Sequence, residues 1–292
     1  MPLFSILLPT NKSQAEVEKS VSSCLLSSFK DFQVKIGVQD WLAWHSKSPQ
    51  DSAIFDRSNV RLIDSSLCSN LSSNLNHLIR LSSDSGFAVR HDDDDLMHPF
   101  RLHRLHENLS VIQESSIVGQ SYKVFGDFGS KLSKAINPSI TNAQNKSALL
   151  LGPCFAHPTI TINLSRIKYF YDEAFDYAQD YKLYVDNFYT GHFVGLPGMA
   201  TYYRSPDVKH PNYSSKRVRQ LNLHDRCMHK LWNLLLGGQS VRLEDITLFR
   251  RKFITREDQV LSGEISVLDG HYINEIVETY NRAKAAVLVN LP

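Results

Sequence analysis

The chain lacks most of what marks an exported, membrane-spanning or thiol-based protein. Its 292 residues include only four cysteines, Cys24, Cys68, Cys154 and Cys227. They are far apart and form no C-x-x-C pair, so they read as small buried or half-buried thiols in a reducing compartment. No run approaches the ~18 apolar residues of a membrane span. The apolar stretch in residues 1–9 is too short for a signal peptide and has no basic residue before it. Together these absences point to the cytoplasm. Neither sign of charge dominates: the formal net charge is +2, which gives no support for nucleic-acid binding. There is no internal repeat and no low-complexity segment. What remains is an ordinary globular composition, 42% hydrophobic and 21% charged. At this length it suits one large α/β domain with a C-terminal extension, or two small domains.

Residues 3–8 read as a strand buried on both faces, broken by Pro9-Thr10-Asn11. Ser13, with Glu16 three residues on, marks the start of a helix that runs to about residue 27. Residues 32–38 are a second strand ending at Asp40, and 59–63 a third. Residues 69–81 carry Leu71, Leu75, Leu78 and Ile79 at helical spacing. Strand 86–89, a helix over 99–114 and a strand over 116–125 follow. This alternation predicts a mostly parallel sheet with helices on both faces. Residues 126–152 read as a polar loop or lid, 158–164 as a strand, and 200–204 as another. Residues 214–236 are a helix stopped by Gly237-Gly238, and the tail from 256 to 291 holds one or two more helices.

The run Arg90-His91-Asp92-Asp93-Asp94-Asp95 is the most informative segment. Adjacent carboxylates repel, so such a run either lies in solvent or holds a cation. Here it follows a buried strand, at the end where open α/β sheets bind ligands. In an extended segment alternate residues share a side, so either Asp92 and Asp94 or Asp93 and Asp95 can converge on one point. Convergent carboxylates suit Mg²⁺ or Mn²⁺.

Several segments occur together in order: Ser5-Ile6-Leu7-Leu8-Pro9-Thr10-Asn11, Asp40, Leu75-Asn76, the acidic run with Pro99 and Arg101 behind it, His157-Pro158, and Ala178-Gln179-Asp180-Tyr181. With this spacing the chain resembles a family 2 glycosyltransferase of the GT-A fold over roughly residues 3–205. The resemblance implies an α/β, Rossmann-like catalytic domain over 1–205 that binds a nucleotide-sugar, with a mainly helical extension over 206–292. It implies an inverting transfer from a nucleotide-sugar donor, a UDP-sugar first, to a hydroxyl of a saccharide or lipid-linked saccharide. Pro9, Thr10 and Asn11 would lie beside the base, with Asp40 on its polar edge. Asn76 and Arg90 would touch the donor. Asp94 would hold a divalent metal, with Asp92 near the ribose or metal and Asp93 in the donor site. Asp95 would support them, and Asp93 is expected to be the most dispensable of the four. Asp180 would be the general base that takes the acceptor proton. Its aromatic neighbours Phe170, Tyr171, Phe175, Tyr177, Tyr181 and Tyr184 would exclude water and raise its pKa, or serve as core. His157, Gln179 and Tyr181 would serve the acceptor or phosphate. Gln179 departs from the commoner Glu. Asn70 stands near a position where related sequences carry Gly, and it tolerates a left-handed conformation.

Two other readings compete. A phosphatase with a D-x-D would carry it on the first strand, which here ends in Pro-Thr-Asn. A nucleotide-sugar or glycan-binding module that has lost catalysis would have no use for Asp180. In the C-terminal third, helix 214–236 is basic on one face and Arg250-Arg251-Lys252 adds a second basic cluster. Both suit packing on the domain or peripheral contact with an anionic membrane face.

Overall fold

Phe4–Thr10 (β1) and Phe32–Val38 (β2) are buried along their whole lengths. Strands apolar on both faces need cover on both sides, and the helices supply it. The computed structural model describes residues 2–46, 53–126, 132–205, 213–238, 241–255 and 270–289. After β1 come α1 (Gln14–Leu25), β2, α2 (Trp41–Ser46), β3 (Val60–Asp64), α3 (Leu71–Arg80), β4 (Phe87–Arg90) and β5 (Leu96–Met97). Then follow α4 (Arg101–Glu107), α5 (Leu109–Glu114), β6 (Ile117–Phe125), α6 (Asn142–Ala148), β7 (Thr161–Asn163), α7 (Gln179–Asp186) and β8 (Phe193–Arg204). The C-terminal part contributes α8 (Tyr213–Leu235), α9 (Leu243–Phe249) and α10 (Gly270–Val289).

The strands form one sheet in the order β3-β2-β1-β4-β7-β6-β8-β5. Pairs β1·β2, β1·β4, β2·β3 and β6·β8 are parallel. Short β7 runs antiparallel to both β4 and β6, and β5 antiparallel to β8. Side chains alternate across β1. Phe4, Ile6 and Leu8 join Val17, Val21 and Cys24 of α1 in one core, while Leu7 joins Leu75, Leu78 and Ile79 of α3 in the other. That second core continues into Tyr181, Tyr184, Leu231 and Trp232, so the C-terminal helices share it with the sheet. Trp232 donates its indole N–H to the Leu150 carbonyl at 3.1 Å.

Several expectations are corrected. Pro9 and Thr10 do not break β1; they extend it. The Leu7 carbonyl faces β4 and accepts from His91, while the Thr10 carbonyl faces β2 and accepts from Gln39. By alternation Pro9 faces the β4 side just beyond the last paired residue there, so its missing N–H costs no ladder bond. Helix 99–114 is two helices divided at Asn108, whose side chain donates to the Arg104 carbonyl. The expected strand over 158–164 shortens to β7, preceded by a 3₁₀ turn at His157–Thr159. Of the expected lid, residues 127–131 lie outside the described residues, and the rest includes α6, capped by Thr141. Asn70 is extended (φ −157°) and caps α3 by accepting from Ser73 N–H at 2.9 Å; no left-handed turn is used. Gly237 (φ +66°) and Gly238 (φ +79°) end α8 as expected. Arg250 belongs to no surface cluster. It is buried against Asp225, with Nε to Oδ1 at 2.5 Å and Nη2 to Oδ2 at 3.1 Å. No described helix is long and apolar enough to cross a membrane.

Candidate active site

The carboxyl ends of β1, β2 and β4 lie side by side, with Thr10 opposite Val38 and Leu7 opposite Arg90. They deliver Thr10–Lys12, Asp40 and the acidic run to one edge of the sheet, where open α/β sheets bind ligands. The acidic run is not extended. Asp95 N–H bonds back to the Asp92 carbonyl at 3.3 Å, so the four carboxylates radiate from a turn and the alternate-residue argument fails. The turn is fastened from below: Ser20 Oγ donates to the Asp92 carbonyl at 2.8 Å.

Each carboxylate has a different task. Asp92 takes the guanidinium of buried Arg90 on Oδ1. Burial pushes its carboxyl up, Arg90 pulls it down, and the charges of Asp94 and Asp93 push it up again. Asp93 accepts from Thr10 Oγ1 at 2.6 Å and from Lys12 Nζ at 2.7 Å. Asp94 accepts from the same ammonium at 3.1 Å on Oδ2. Asp95 is fully buried; its Oδ1 accepts the Arg204 N–H at 2.7 Å. Burial, then the charge of Asp92, pushes its carboxyl up to about 9. Asp95 therefore anchors the end of β8 beneath the turn. Lys12 was missed from the sequence, though it directly follows the Pro-Thr-Asn motif. Burial opposes its charge, but Asp93 and Asp94 outweigh this and hold its pKa above the ordinary lysine value.

Beside the turn opens a cavity of about 590 Å³ lined by Asp92, Gln120, His157, Gln179, Asp180 and Tyr203 among others. Four of the residues singled out in the sequence thus meet in one cleft. Gly119 on β6 gives its wall room; a Cβ there would lie 2.2 Å from the Phe155 ring. Ala178 caps α7 with φ +52°, a conformation unusual for a non-glycine residue. Such strain persists only where the surroundings impose it. Here it turns the first residues of α7 toward the cleft. Burial lifts the Asp180 carboxyl to about 6, against the pull of the Tyr181 N–H at 2.8 Å. His157 meets the Tyr171 hydroxyl at 2.8 Å through Nε2, and burial drives its pKa well below the usual histidine value. It is a neutral ring at neutral pH.

Other expected site residues lie elsewhere. Tyr181 is fully buried and donates its hydroxyl to the Leu149 carbonyl; it is core, not an acceptor contact. Asn76 is buried with its amide committed to Tyr171 and Glu173, away from the cleft. Phe170 is 41% exposed, while Tyr171 and Tyr184 are buried. Asp40 accepts from Ala43 N–H at 3.1 Å and so caps α2. It also lines a second cavity of about 280 Å³ with Asn11, Lys12, Ser13 and Trp44. Pro9 is buried within β1 and does not line that cavity.

The acidic turn offers carboxylate oxygens, the donor type that hard divalent cations take. Among the described residues no three His, Cys, Asp or Glu side chains gather as a metal cluster. The bonds to these two carboxylates among the described residues fall on Asp92 Oδ1, from Arg90, and Asp94 Oδ2, from Lys12. Mg²⁺ and Mn²⁺ take one or two protein carboxylates and leave other positions to phosphate and water. Asp92 and Asp94 each offer an oxygen of that kind.

No family profile matches the chain, and no curated protein sequence matches it. Solved structures do. The chain superposes on residues 1–349 of Staphylococcus aureus TarS in complex with UDP-GlcNAc with a TM-score of 0.59 at 14% identity, covering 99% of this chain and 89% of that one. Mannosyltransferase PcManGT from Pyrobaculum calidifontis, in complex with GDP-Man and Mn²⁺, matches with a TM-score of 0.51 at 12% identity, over 99% and 87% of the two chains. The fold is of the GT-A type. At such identity the likeness establishes the architecture alone, and the chemistry must be argued from the residues.

Proposed function

We propose that the chain is an inverting glycosyltransferase of family 2 character. It moves a hexosyl or N-acetylhexosaminyl group from a nucleotide-sugar, a UDP-sugar first, to a hydroxyl of a glycan or lipid-linked saccharide. One observation carries this reading: Asp180, its carboxyl raised to about 6, shares a cleft with Asp92 of the acidic turn. A base poised near the working pH beside a carboxylate cation site is what transfer to a hydroxyl requires. The nucleotide-sugars in the two structures of the same fold support a donor of that class.

In this reading the nucleoside sits in the smaller cavity by Asn11 and Asp40, and the sugar in the larger one. The diphosphate crosses between them at Lys12 and the acidic turn. Asp92 and Asp94 would hold Mn²⁺ or Mg²⁺, which as a Lewis acid offsets the charge gathering on the departing diphosphate. Asp180 accepts the acceptor O–H proton as that oxygen bonds to the anomeric carbon. The bond from the anomeric carbon to phosphate oxygen breaks on the opposite face, and the nucleoside diphosphate leaves. Lys216 and Arg217 on the exposed start of α8 suit an anionic or lipid-linked acceptor at the cytoplasmic face of a membrane.

The test is a donor screen with Mn²⁺, reading nucleoside diphosphate release for wild type and Asp180→Asn. Release by wild type, lost in Asp180→Asn while UDP still binds, supports the reading. No release from any donor, with or without metal and with saccharide acceptors, overturns it.

A further inference from the structure

We infer that Lys12 is a diphosphate-binding residue that doubles as a built-in counter-cation, making metal binding wait for the donor. The inference rests on the donor reading above and adds an order of events. Lys12 belongs to both halves of the site. It lines the smaller cavity with Asn11 and Asp40, and its ammonium holds Asp93 Oδ1 at 2.7 Å and Asp94 Oδ2 at 3.1 Å. Its own backbone N–H donates to Thr10 Oγ1 at 3.0 Å, and that hydroxyl donates onward to Asp93. The backbone is thereby pinned at the end of β1, while the side chain, 30% exposed, retains freedom to swing.

Two consequences follow from charge alone. With the site empty of donor, a fixed positive charge on Asp94 repels an incoming divalent cation and occupies one of its oxygens. With a donor present, two phosphates offer the ammonium a stronger anionic partner within reach of the same stem. Lys12 then moves to the diphosphate and releases Asp94 to the metal. Nucleotide and metal therefore bind with positive coupling, each strengthening the other.

The experiment titrates Mn²⁺ into wild type, Lys12→Met and Lys12→Arg, with and without UDP, reading free Mn²⁺ by electron paramagnetic resonance. A thermal melt of each variant confirms folding. Nucleotide-free Lys12→Met is expected to bind Mn²⁺ about tenfold more tightly than wild type, the scale of one screened charge–charge contact. It is also expected to lose the UDP-induced gain in Mn²⁺ affinity and to bind UDP more weakly. Lys12→Arg, which keeps the charge, should behave like wild type. If wild type binds UDP but Lys12→Met gains no Mn²⁺ affinity, the inference falls and the donor reading stands. If wild type binds no nucleotide at all, both fall together.

Discussion

Asn76 holds Tyr171 by both of its backbone groups: its amide donates to the Tyr171 carbonyl at 2.8 Å and accepts from the Tyr171 N–H at 3.1 Å. Tyr171 in turn presents its hydroxyl to His157 in the wall of the cleft. A residue expected at the donor is thus a strut behind the wall of the cleft. Its third partner, Glu173, lies on the same segment.

Removing that strut should therefore cost stability before it costs binding. Asn76→Ala leaves two buried peptide groups unpaired, at roughly 1–3 kcal/mol each before relaxation. We expect a loss of about 2–3 kcal/mol in urea unfolding, a reduced kcat, and little change in UDP affinity, because Asn76 does not line the smaller cavity proposed for the nucleoside. A variant that loses UDP affinity but keeps its stability would return Asn76 to the donor.

Asp180 should pull activity and stability in opposite directions. Its carboxyl, at about 6 in the fold, lies above the ~3.9 of an unperturbed aspartate. As a base it must be ionised, so kcat should climb about tenfold per pH unit below 6 and flatten above it. The stability contribution of the raised pKa is full below about pH 4 and is lost as pH rises through 6. At pH 8 Asp180→Asn should abolish transfer yet be more stable than wild type by on the order of 1 kcal/mol, with the advantage gone at pH 4. Thermal melts at the two pH values measure this. A variant less stable than wild type at pH 8 would make Asp180 a structural carboxylate.

How much of this was legible in the sequence depends on where the determining forces act. Strands β1 and β4 are buried along their lengths, and Phe4, Ile6, Leu7 and Leu8 or Phe87, Ala88 and Val89 read as apolar runs without needing their neighbours. The stops at Gly237 and Gly238 are equally local. By contrast β5 is two residues long and is held by its ladder to β8 and by the Thr201 hydroxyl on the Leu96 carbonyl at 3.0 Å; nothing in Leu96-Met97 announces it. The antiparallel insertion of β7 is likewise a decision of the whole sheet. At the site, strand ends and order bring Asp92 and Asp180 into one cleft, but the turn from Asp92 to Asp95 erases the alternation that paired Asp92 with Asp94. Tyr181 turns from the cleft because its ring belongs to the core, where it is fully buried and its hydroxyl is spent on the Leu149 carbonyl; nothing in Asp180-Tyr181 announces that partner. Lys12 could have been noticed beside the motif, but its role exists only once the turn brings Asp93 and Asp94 to it.

Asp93 and Asp94 should separate by assay. The sequence ranks Asp93 as the most dispensable of the four, yet it carries the bonds from Thr10 and Lys12, while Asp94 has one side-chain partner among the described residues, Lys12, and a 40% exposed side chain. Asp93→Ala should therefore lower stability by about 1–2 kcal/mol, since hydrogen bonds to charged groups are the stronger kind. Asp94→Ala should leave the urea midpoint within about 0.5 kcal/mol of wild type and weaken Mn²⁺-dependent UDP binding instead. Equal stability of both variants would restore the original ranking.

The pair Asp225 and Arg250 offers the sharpest test of how the C-terminal helices are held. Their side chains are 3% and 5% exposed, and Thr247 adds a third bond to Asp225 Oδ2 at 3.0 Å. The pair joins α8 to the turn after α9, next to the core of Trp232 and Phe249, whose rings stand 5.2 Å apart. Taking Asp225 away removes a two-bond carboxylate partner from a guanidinium held in low dielectric, at about 3–5 kcal/mol. Replacing both with apolar residues of similar volume removes the desolvation cost along with the attraction. Asp225→Ala should thus be strongly destabilised, and Asp225→Leu/Arg250→Met should recover most of the loss, measured as urea midpoints in a double-mutant cycle. Donor-dependent nucleoside diphosphate release should survive in the double variant, because neither side chain lines the cleft. If the double variant is as unstable as the single one, the pair is held by geometry that hydrophobic packing cannot replace.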